Sequence, residues 1–157
     1  MTILDGAPPA LGAPAPEFVL PNVHGTPIAS GDLKGKPALI VFYPFAFTGI
    51  CSNELYALRD DLSDFNNAGV RVLAVSCDPV PSLKAWDEAE DFGFDLLSDF
   101  WPHGEAAQAF GVFDAKAGRA QRGTFLLDAN GIVRWLVINE PGQARDLSAY
   151  KEAIAQL

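Results

Sequence analysis

Cysteine is scarce in this chain of 157 residues, which holds only Cys51 and Cys77. Two cysteines cannot form the disulfide framework of a small secreted protein, and they lack the ligand spacing of a zinc site. Histidine is equally scarce: we interpret His24 as a solvated turn residue and His103 as a loop or helix-start residue. The sequence therefore predicts no metal centre, and it favours a reducing compartment.

Basic residues are also few, with 11 Lys and Arg against 20 Asp and Glu and a formal net charge of -9. Nucleic acids and anionic membrane surfaces both require clustered Lys and Arg, which this chain lacks. No apolar run approaches the roughly 20 residues that span a bilayer. Residues 1–16 contain no Lys or Arg and four prolines, unlike a signal peptide. We expect a cytoplasmic protein that binds neither nucleic acid nor membrane.

The chain contains no glycine-rich fingerprint for phosphate binding, so no flavin or nucleotide cofactor is expected. Hydrophobic residues make up 49% of the chain and charged residues 20%, which is ordinary for a globular protein and unlike a disordered one. A chain of this length suits one hydrophobic core. We predict a single domain over residues 1–157.

A strand, a helix and a second strand follow one another in the first half of the chain. Residues 37–43 and 70–76 are short apolar runs typical of buried strands. Between them, residues 52–66 place apolar side chains at helical spacing, namely Leu55, Leu58, Leu62 and Phe65. This order predicts two parallel strands joined by a right-handed crossover.

The remaining patterns predict a mixed central sheet flanked by helices, with an N-terminal hairpin. Strands are predicted at residues 18–20, 26–29, 94–97, 123–127 and 132–138, with a hairpin turn at 128–131. Further helices are predicted from a Ser82 cap to about residue 91, over residues 104–110, and from an Asp146 cap to the chain end.

Cys51 lies where the first buried strand has ended and the first long helix begins. Unpaired N–H groups and the macrodipole favour an anion at a helix start, and a thiolate is such an anion. Ionising most of an ordinary thiol near pH 7 requires roughly 2.7 kcal/mol, whereas the dipole supplies about 0.3 to 2 kcal/mol. A hydroxyl donor or a nearby cation is therefore needed as well, and Thr48 can supply the hydroxyl.

Pro44, Thr48 and Cys51 match the Pro-x-x-x-Thr-x-x-Cys signature of the peroxiredoxins, which this chain resembles along nearly its whole length. Glu54 fits the acidic position that commonly follows the cysteine. Other segments resembling this family occur in the expected order at residues 13–18, 32–36 and 122–128. Residues 48–51 and 97–104 are similar to the alkyl hydroperoxide reductase E subgroup, whose members work with one essential cysteine.

The resemblance implies a thioredoxin-like fold and a peroxidase that reduces hydrogen peroxide or organic hydroperoxides. Cys51 would be the nucleophile and would become a sulfenic acid. Thr48, Arg122 and backbone N–H groups would bind the peroxide oxygens, and Pro44 would shield the site. Glu54 would either orient Arg122 or simply be an acid in the first helical turn, and the sequence leaves both interpretations open.

The resemblance also implies an external reductant, either a small thiol or a thioredoxin-, glutaredoxin- or mycoredoxin-like protein. We expect Cys77 to be inert, although a two-cysteine peroxidase that uses Cys77 remains an alternative. A homodimer is expected. The aromatic side chains that would line the site mouth, join a dimer contact or simply pack in the core are Phe45, Phe47, Trp101 and Phe113.

Two other functions compete with the peroxidase. A thiol–disulfide oxidoreductase would carry Cys-x-x-Cys, but Glu54 occupies the fourth position here. A redox sensor or holdase would use Cys51 oxidation to alter a binding surface, and would react once rather than turn over.

Overall fold

The computed structural model describes residues 4–140, 142–143 and 145–157. The strands in this part of the chain are β1 Leu4–Asp5, β2 Val19–Pro21, β3 Pro27–Ala29, β4 Ala38–Phe42, β5 Arg71–Ser76, β6 Asp95–Ser98, β7 Phe113–Asp114, β8 Arg119–Ala120, β9 Arg122–Leu127 and β10 Val133–Asn139. The helices are α1 Gly49–Asp60, α2 Leu62–Asn67, α3 Val80–Glu90, α4 Glu105–Ala109 and α5 Leu147–Ala155, with a short 3-10 helix at Ser30–Leu33. None of these described helices is long and apolar enough to cross a membrane.

The central sheet has five strands in the order β10-β9-β4-β5-β6. β4, β5 and β6 are parallel, whereas β9 and β10 are antiparallel to their neighbours. The predicted parallel pairing of the strands on either side of the first helix is therefore confirmed, and so is the mixed sheet. β4 is buried along its whole length, as its uncharged apolar sequence predicts for a central strand.

The two faces of this sheet carry separate clusters of the core, because successive side chains of a strand point to opposite faces. On one face, alternate residues of β4 and β5 pack with Phe110 and Phe125, and Cys77 belongs to this cluster. On the other face, Leu39 and Val41 pack against α1 and α5. Cys51 lies with Tyr43 and Ala74 on that second face. The two cysteines are thus on opposite sides of the sheet.

Two small sheets complete the fold. β2 and β3 form the predicted N-terminal hairpin. β1, β7 and β8 form a three-stranded antiparallel sheet that the sequence did not reveal. Each of these three strands has only two residues, which is too short for an alternating pattern to stand out.

Two helix predictions need correction and one is confirmed. The helix predicted over residues 52–66 begins earlier and is interrupted at Asp61, where α1 ends and α2 begins. Ser82 is not a cap, because α3 already begins at Val80, directly after Pro79. Proline suits the first turn of a helix, where its missing N–H has no partner to lose, and Pro81 lies there. Asp146 does cap α5, accepting from the backbone N–H groups of Ser148 and Ala149.

Asp99 is a buried carboxylate that fastens α4 to the end of β6. One carboxylate oxygen accepts from the N–H of Ala106 at 3.0 Å, and the other accepts from the N–H of Ala107 at 2.9 Å. Asp99 is only 1% exposed. Burial raises the pKa of Asp99 to about 6, although these two N–H groups oppose the shift.

We expect the ionisation of Asp99 to reduce stability between about pH 4 and pH 6. In that interval the unfolded chain has released the proton, whose ordinary pKa is 3.8, while the folded chain still holds it. The folded state binds more protons there, so the free energy of unfolding contributed by this group falls as pH rises, by about 3 kcal/mol in total.

The measurement is urea denaturation between pH 4 and pH 7 for the wild type, for Asp99→Asn, and for Glu152→Gln as an exposed control. The Asp99→Asn variant loses this contribution to the pH dependence, and the control keeps it. A wild-type and Asp99→Asn pair whose difference in stability is constant across the interval would contradict the expectation.

Candidate active site

Cys51 lies in the first turn of α1, as the sequence predicts. Its side chain is almost fully buried, at 1% exposure. Thr48 precedes the helix with an extended backbone, and its carbonyl accepts from the N–H of Ser52 at 2.8 Å. The N–H groups of the first turn have no partner within the helix, so their partial positive charge lies at the same helix end as Cys51.

Arg122 reaches the sulfur from the first residue of β9. One of its terminal nitrogens lies 3.5 Å from Cys51 Sγ, and its Nε donates to Glu54 Oε1 at 2.7 Å. Cys51 and Glu54 are three residues apart on one helix, so they present their side chains on the same face. The structure therefore brings together three of the residues singled out from the sequence.

Glu54 binds two arginines at once. Its second carboxylate oxygen lies 2.6 Å from Nε of Arg145, and this ion pair is buried, with the Arg145 side chain 1% exposed and that of Glu54 6% exposed. Two guanidinium groups against one carboxylate leave one positive charge in excess. An anion on Cys51 would balance that charge. The excess guanidinium charge is therefore the nearby cation that the sequence argument required in addition to the helix dipole.

Arg145 was missed by the sequence analysis. It fastens the site to the sheet: one terminal nitrogen donates to Thr124 Oγ1 at 2.8 Å, and the other donates to the carbonyl of Phe42. One weak signal was available in the sequence, namely that Arg145 directly precedes a helix N-cap. A cation is electrostatically unfavourable at that position, so its presence there suggests a contact elsewhere in the fold. The long-range contact itself leaves no pattern in the sequence.

Thr48 takes a different position from the one expected. Its hydroxyl donates to the carbonyl of Phe45 at 2.9 Å and does not contact the sulfur. With its hydrogen committed in this way, the Thr48 oxygen keeps lone pairs that can accept a hydrogen bond. Pro44 is buried directly after Tyr43, where β4 gives way to this loop.

The aromatic residues divide between surface and core. Phe45, Phe47 and Trp101 are exposed, and the guanidinium of Arg119 lies 5.6 Å above the Phe45 ring. Phe113, in contrast, is a core residue at 6% exposure, so it lines neither the mouth of the site nor an outer surface.

The hydrogen bonds and ion pairs described around Cys51, Glu54 and Arg122 involve neither histidine. The two ring nitrogens of His103 lie 3.1 Å from the carbonyl oxygen of Phe100 and 2.7 Å from that of Gly118, so His103 has the loop role that was predicted. His24 is exposed in the hairpin turn. In the described residues, no group of three or more His, Cys, Asp or Glu side chains is placed to hold a metal ion.

Comparison with known proteins places this chain in a family. The model of the AhpC/TSA family matches residues 11–136. The chain belongs to the peroxiredoxins. Members of this family are thiol-dependent peroxidases, so the chain is an oxidoreductase, as the sequence predicts.

Individual relatives agree with this assignment. Alkyl hydroperoxide reductase E of Mycobacterium tuberculosis is 45% identical over 148 residues, covering 94% of this chain and 97% of the relative. A peroxiredoxin of Thermoplasma volcanium is 33% identical over 156 residues, covering 96% of this chain and 75% of the relative.

Solved structures confirm the thioredoxin-like fold. AhpC of Enterococcus faecalis matches with a TM-score of 0.85 and 25% identity, over 93% of this chain and 90% of that one. The reduced 2-Cys peroxiredoxin of Plasmodium vivax matches with a TM-score of 0.85 and 26% identity, over 94% of this chain and 81% of that one.

We expect Glu54→Gln to destabilise this peroxiredoxin strongly. The change removes the only charge in the cluster that compensates the two buried guanidinium groups of Arg122 and Arg145. Breaking a buried ion pair by removing one partner costs about 3 to 5 kcal/mol. Guanidinium chloride denaturation measures the loss.

The matched control is Asp60→Asn, which breaks the ion pair of Asp60 with Arg59 at the protein surface, where the side chains are 69% and 30% exposed. An exposed pair contributes at most about 1 kcal/mol. Equal losses of unfolding free energy for the two variants would show that the Glu54 cluster contributes no more to stability than an exposed ion pair.

Proposed function

We propose that the Cys51 thiolate attacks one oxygen of hydrogen peroxide or of an organic hydroperoxide. A sulfur–oxygen bond forms as the oxygen–oxygen bond breaks, which leaves Cys51 as a sulfenic acid. The attacked oxygen keeps its hydrogen in the sulfenic acid, and the departing oxygen takes a proton from solvent and leaves as water or an alcohol. The contact between Arg122 and Cys51 Sγ, at 3.5 Å, is the observation that carries this proposal.

Arg122 stabilises the transition state more than the ground state. Negative charge starts on the sulfur and ends on the departing oxygen, and a guanidinium has several N–H donors in one plane to follow it. Glu54 engages Nε of Arg122 and so fixes the plane of the guanidinium. Glu54 is therefore a positioning residue, and Arg145 holds Glu54 from its other side.

Thr48 and Pro44 complete the proposed site. The Thr48 oxygen, whose own hydrogen is donated to the Phe45 carbonyl, accepts a hydrogen bond from the O–H of the bound hydroperoxide. The N–H groups at the start of α1 donate to its oxygens. Pro44 is buried beside this loop and shields the sulfenic acid from water and further oxidation.

The proposed peroxidase uses one cysteine and an external reductant. Cys77 belongs to the core cluster on the opposite face of the sheet from Cys51, so a disulfide between them would require a rearrangement of the backbone. Burial also raises the pKa of Cys77 to about 12, which keeps it a neutral thiol. The reductant in the proposal is a small thiol or a thioredoxin- or mycoredoxin-like protein of the cytoplasm.

We expect Cys51→Ser to abolish peroxide consumption in the presence of excess dithiothreitol, because serine is not ionised at neutral pH. Cys77→Ser should retain multiple turnovers at a rate within about threefold of the wild type, since an isolated buried substitution does not touch the reacting atoms. Peroxide loss over time and the mass of the oxidised protein are measured for both variants.

Three outcomes would contradict the proposal. Consumption that survives Cys51→Ser would exclude the nucleophile. A single turnover in the wild type, with reductant present, would favour the sensor or holdase. An internal disulfide after one equivalent of peroxide would restore the two-cysteine alternative.

The partner surface of the proposed peroxidase is an apolar patch beside the site. Phe45, Phe47 and Ile50 are exposed on the loop and the first turn of α1, which is unusual for large apolar side chains. Trp101, at 82% exposure, adds a further aromatic side chain typical of interface centres. We assign this aromatic surface to a homodimer.

We expect the wild type to sediment as a dimer and Phe47→Glu to shift the protein toward the monomer, because a charge buried at an apolar contact without a partner is costly. Analytical ultracentrifugation over a range of protein concentrations measures the shift. Lys116→Glu, also exposed but in the turn between β7 and β8, is the control. A wild type that is monomeric at every concentration would exclude the homodimer.

A further inference from the structure

The carboxylate of Asp78 reaches the loop that joins β4 to α1. Its Oδ2 accepts from the backbone N–H of Ala46 at 2.9 Å, across 32 positions in the sequence. Ala46 lies midway between Pro44 and Thr48, so the contact is made at the centre of the segment that shapes the peroxide site. Nothing in the reaction described above uses Asp78.

Asp78 is itself fixed to the central sheet. The hydroxyl of Ser76, the last residue of β5, donates to the same carboxylate oxygen at 2.7 Å. The hydroxyl of Ser98, the last residue of β6, donates to the backbone carbonyl of Asp78 at 2.6 Å. Ser76 and Ser98 are both buried. Asp78 therefore links the loop to the ends of two parallel strands, through its carboxylate to β5 and through its backbone carbonyl to β6.

The loop needs such an anchor because its backbone is strained. Phe47 has a φ of 62°, in the left-handed region that residues with a bulky side chain seldom occupy. A conformation of this kind persists only where surrounding contacts determine it. The strained residue stands directly between Ala46, which Asp78 holds, and Thr48, whose hydroxyl donates back to Phe45.

We propose that Asp78 is a positioning residue for the peroxide site, acting through the N–H of Ala46 to hold the Phe47 turn and thereby to aim the Thr48 oxygen. The proposal rests on the proposed peroxidase function. Asp78 touches neither the sulfur nor the peroxide in this assignment, so its effect on the reaction passes through Thr48. Its acceptor oxygen, and not its charge, is what the site requires.

An electrostatic role and a positioning role of Asp78 predict opposite effects of Asp78→Ala on the rate of Cys51 oxidation. A carboxylate near the site opposes ionisation of the thiol, so a purely electrostatic role predicts that Asp78→Ala reacts faster at neutral pH. A positioning role predicts slower reaction, and the deficit persists on the alkaline plateau of the pH–rate profile, where the thiol is fully ionised. The plateau therefore separates the two roles.

The experiment measures the second-order rate constant of Cys51 oxidation by hydrogen peroxide in stopped flow, on that plateau, by fluorescence. We expect Asp78→Ala to lose on the order of tenfold to a hundredfold, the range that a misplaced catalytic group costs. Asp78→Asn keeps an acceptor oxygen without the charge, and should remain within about threefold of the wild type. Asp128→Ala is the control.

Asp128 has the same local role at the other end of β9. It accepts from the N–H groups of Asn130 and Ile132 in the hairpin turn between β9 and β10, far from Cys51. The Asp128→Ala variant therefore measures the general effect, on the rate constant, of removing a carboxylate that stabilises a turn. The rate constant of Asp128→Ala should stay close to that of the wild type, whatever the change in stability.

A double-mutant cycle with Thr48→Val tests whether Asp78 acts through Thr48. Once the Thr48 oxygen is gone, Asp78→Ala should cost less than half of the factor that it costs in the wild type, because groups that act as a unit are not additive. Should Asp78→Ala not fold, Ser76→Ala serves instead, since it frees the carboxylate from β5 and should slow the plateau rate several-fold.

Three results would overturn the inference: an Asp78→Ala plateau rate at or above that of the wild type, an Asp78→Asn rate as low as that of Asp78→Ala, or full additivity with Thr48→Val. Failure of the peroxidase assignment gives different results. In that case the wild type would turn over only once with reductant present, or the Cys51→Ser variant would still consume peroxide.

Discussion

The buried carboxylate of Glu54, bound by Arg122 on one side and Arg145 on the other, is the interaction on which the site depends. It allows two guanidinium groups to be buried beside one another, and it leaves a single positive charge for the sulfur to balance. It also connects elements that are distant in the chain, since α1, β9 and the segment before α5 each contribute one of these residues. In the proposed peroxidase, the same contact therefore serves both folding and chemistry.

The parts of the site that follow from local sequence could be predicted, and the parts that arise from long-range packing could not. Cys51 at a helix start is visible in the change from an uncharged apolar run to helical spacing. Arg122 was found only through a family resemblance, because its 71-residue separation from Cys51 leaves no periodicity to detect. Arg145 had only the weak signal of its position before an N-cap, and its contacts exist only once β4, β9 and α5 have assembled.

The same distinction explains the errors in the fold. Buried strands and the Asp146 cap have local causes, namely an apolar run and a side chain that accepts from its own helix, and both were predicted. The break between α1 and α2 at Asp61 lies inside an uninterrupted helical pattern, so pattern alone predicts continuity. The Thr48 hydroxyl was expected at the sulfur, but its orientation is decided by a backbone carbonyl three residues away.

The depth of Cys51 has a consequence for the catalytic cycle. In the proposed peroxidase, a sulfur at 1% exposure is more accessible to a molecule as small as a peroxide than to the active cysteine of a reducing protein. Reduction by such a partner would therefore require the residues that cover Cys51 to move aside, whereas oxidation by a peroxide would not. The local stability of the segment around Cys51 would then influence the second half of the proposed cycle and not the first.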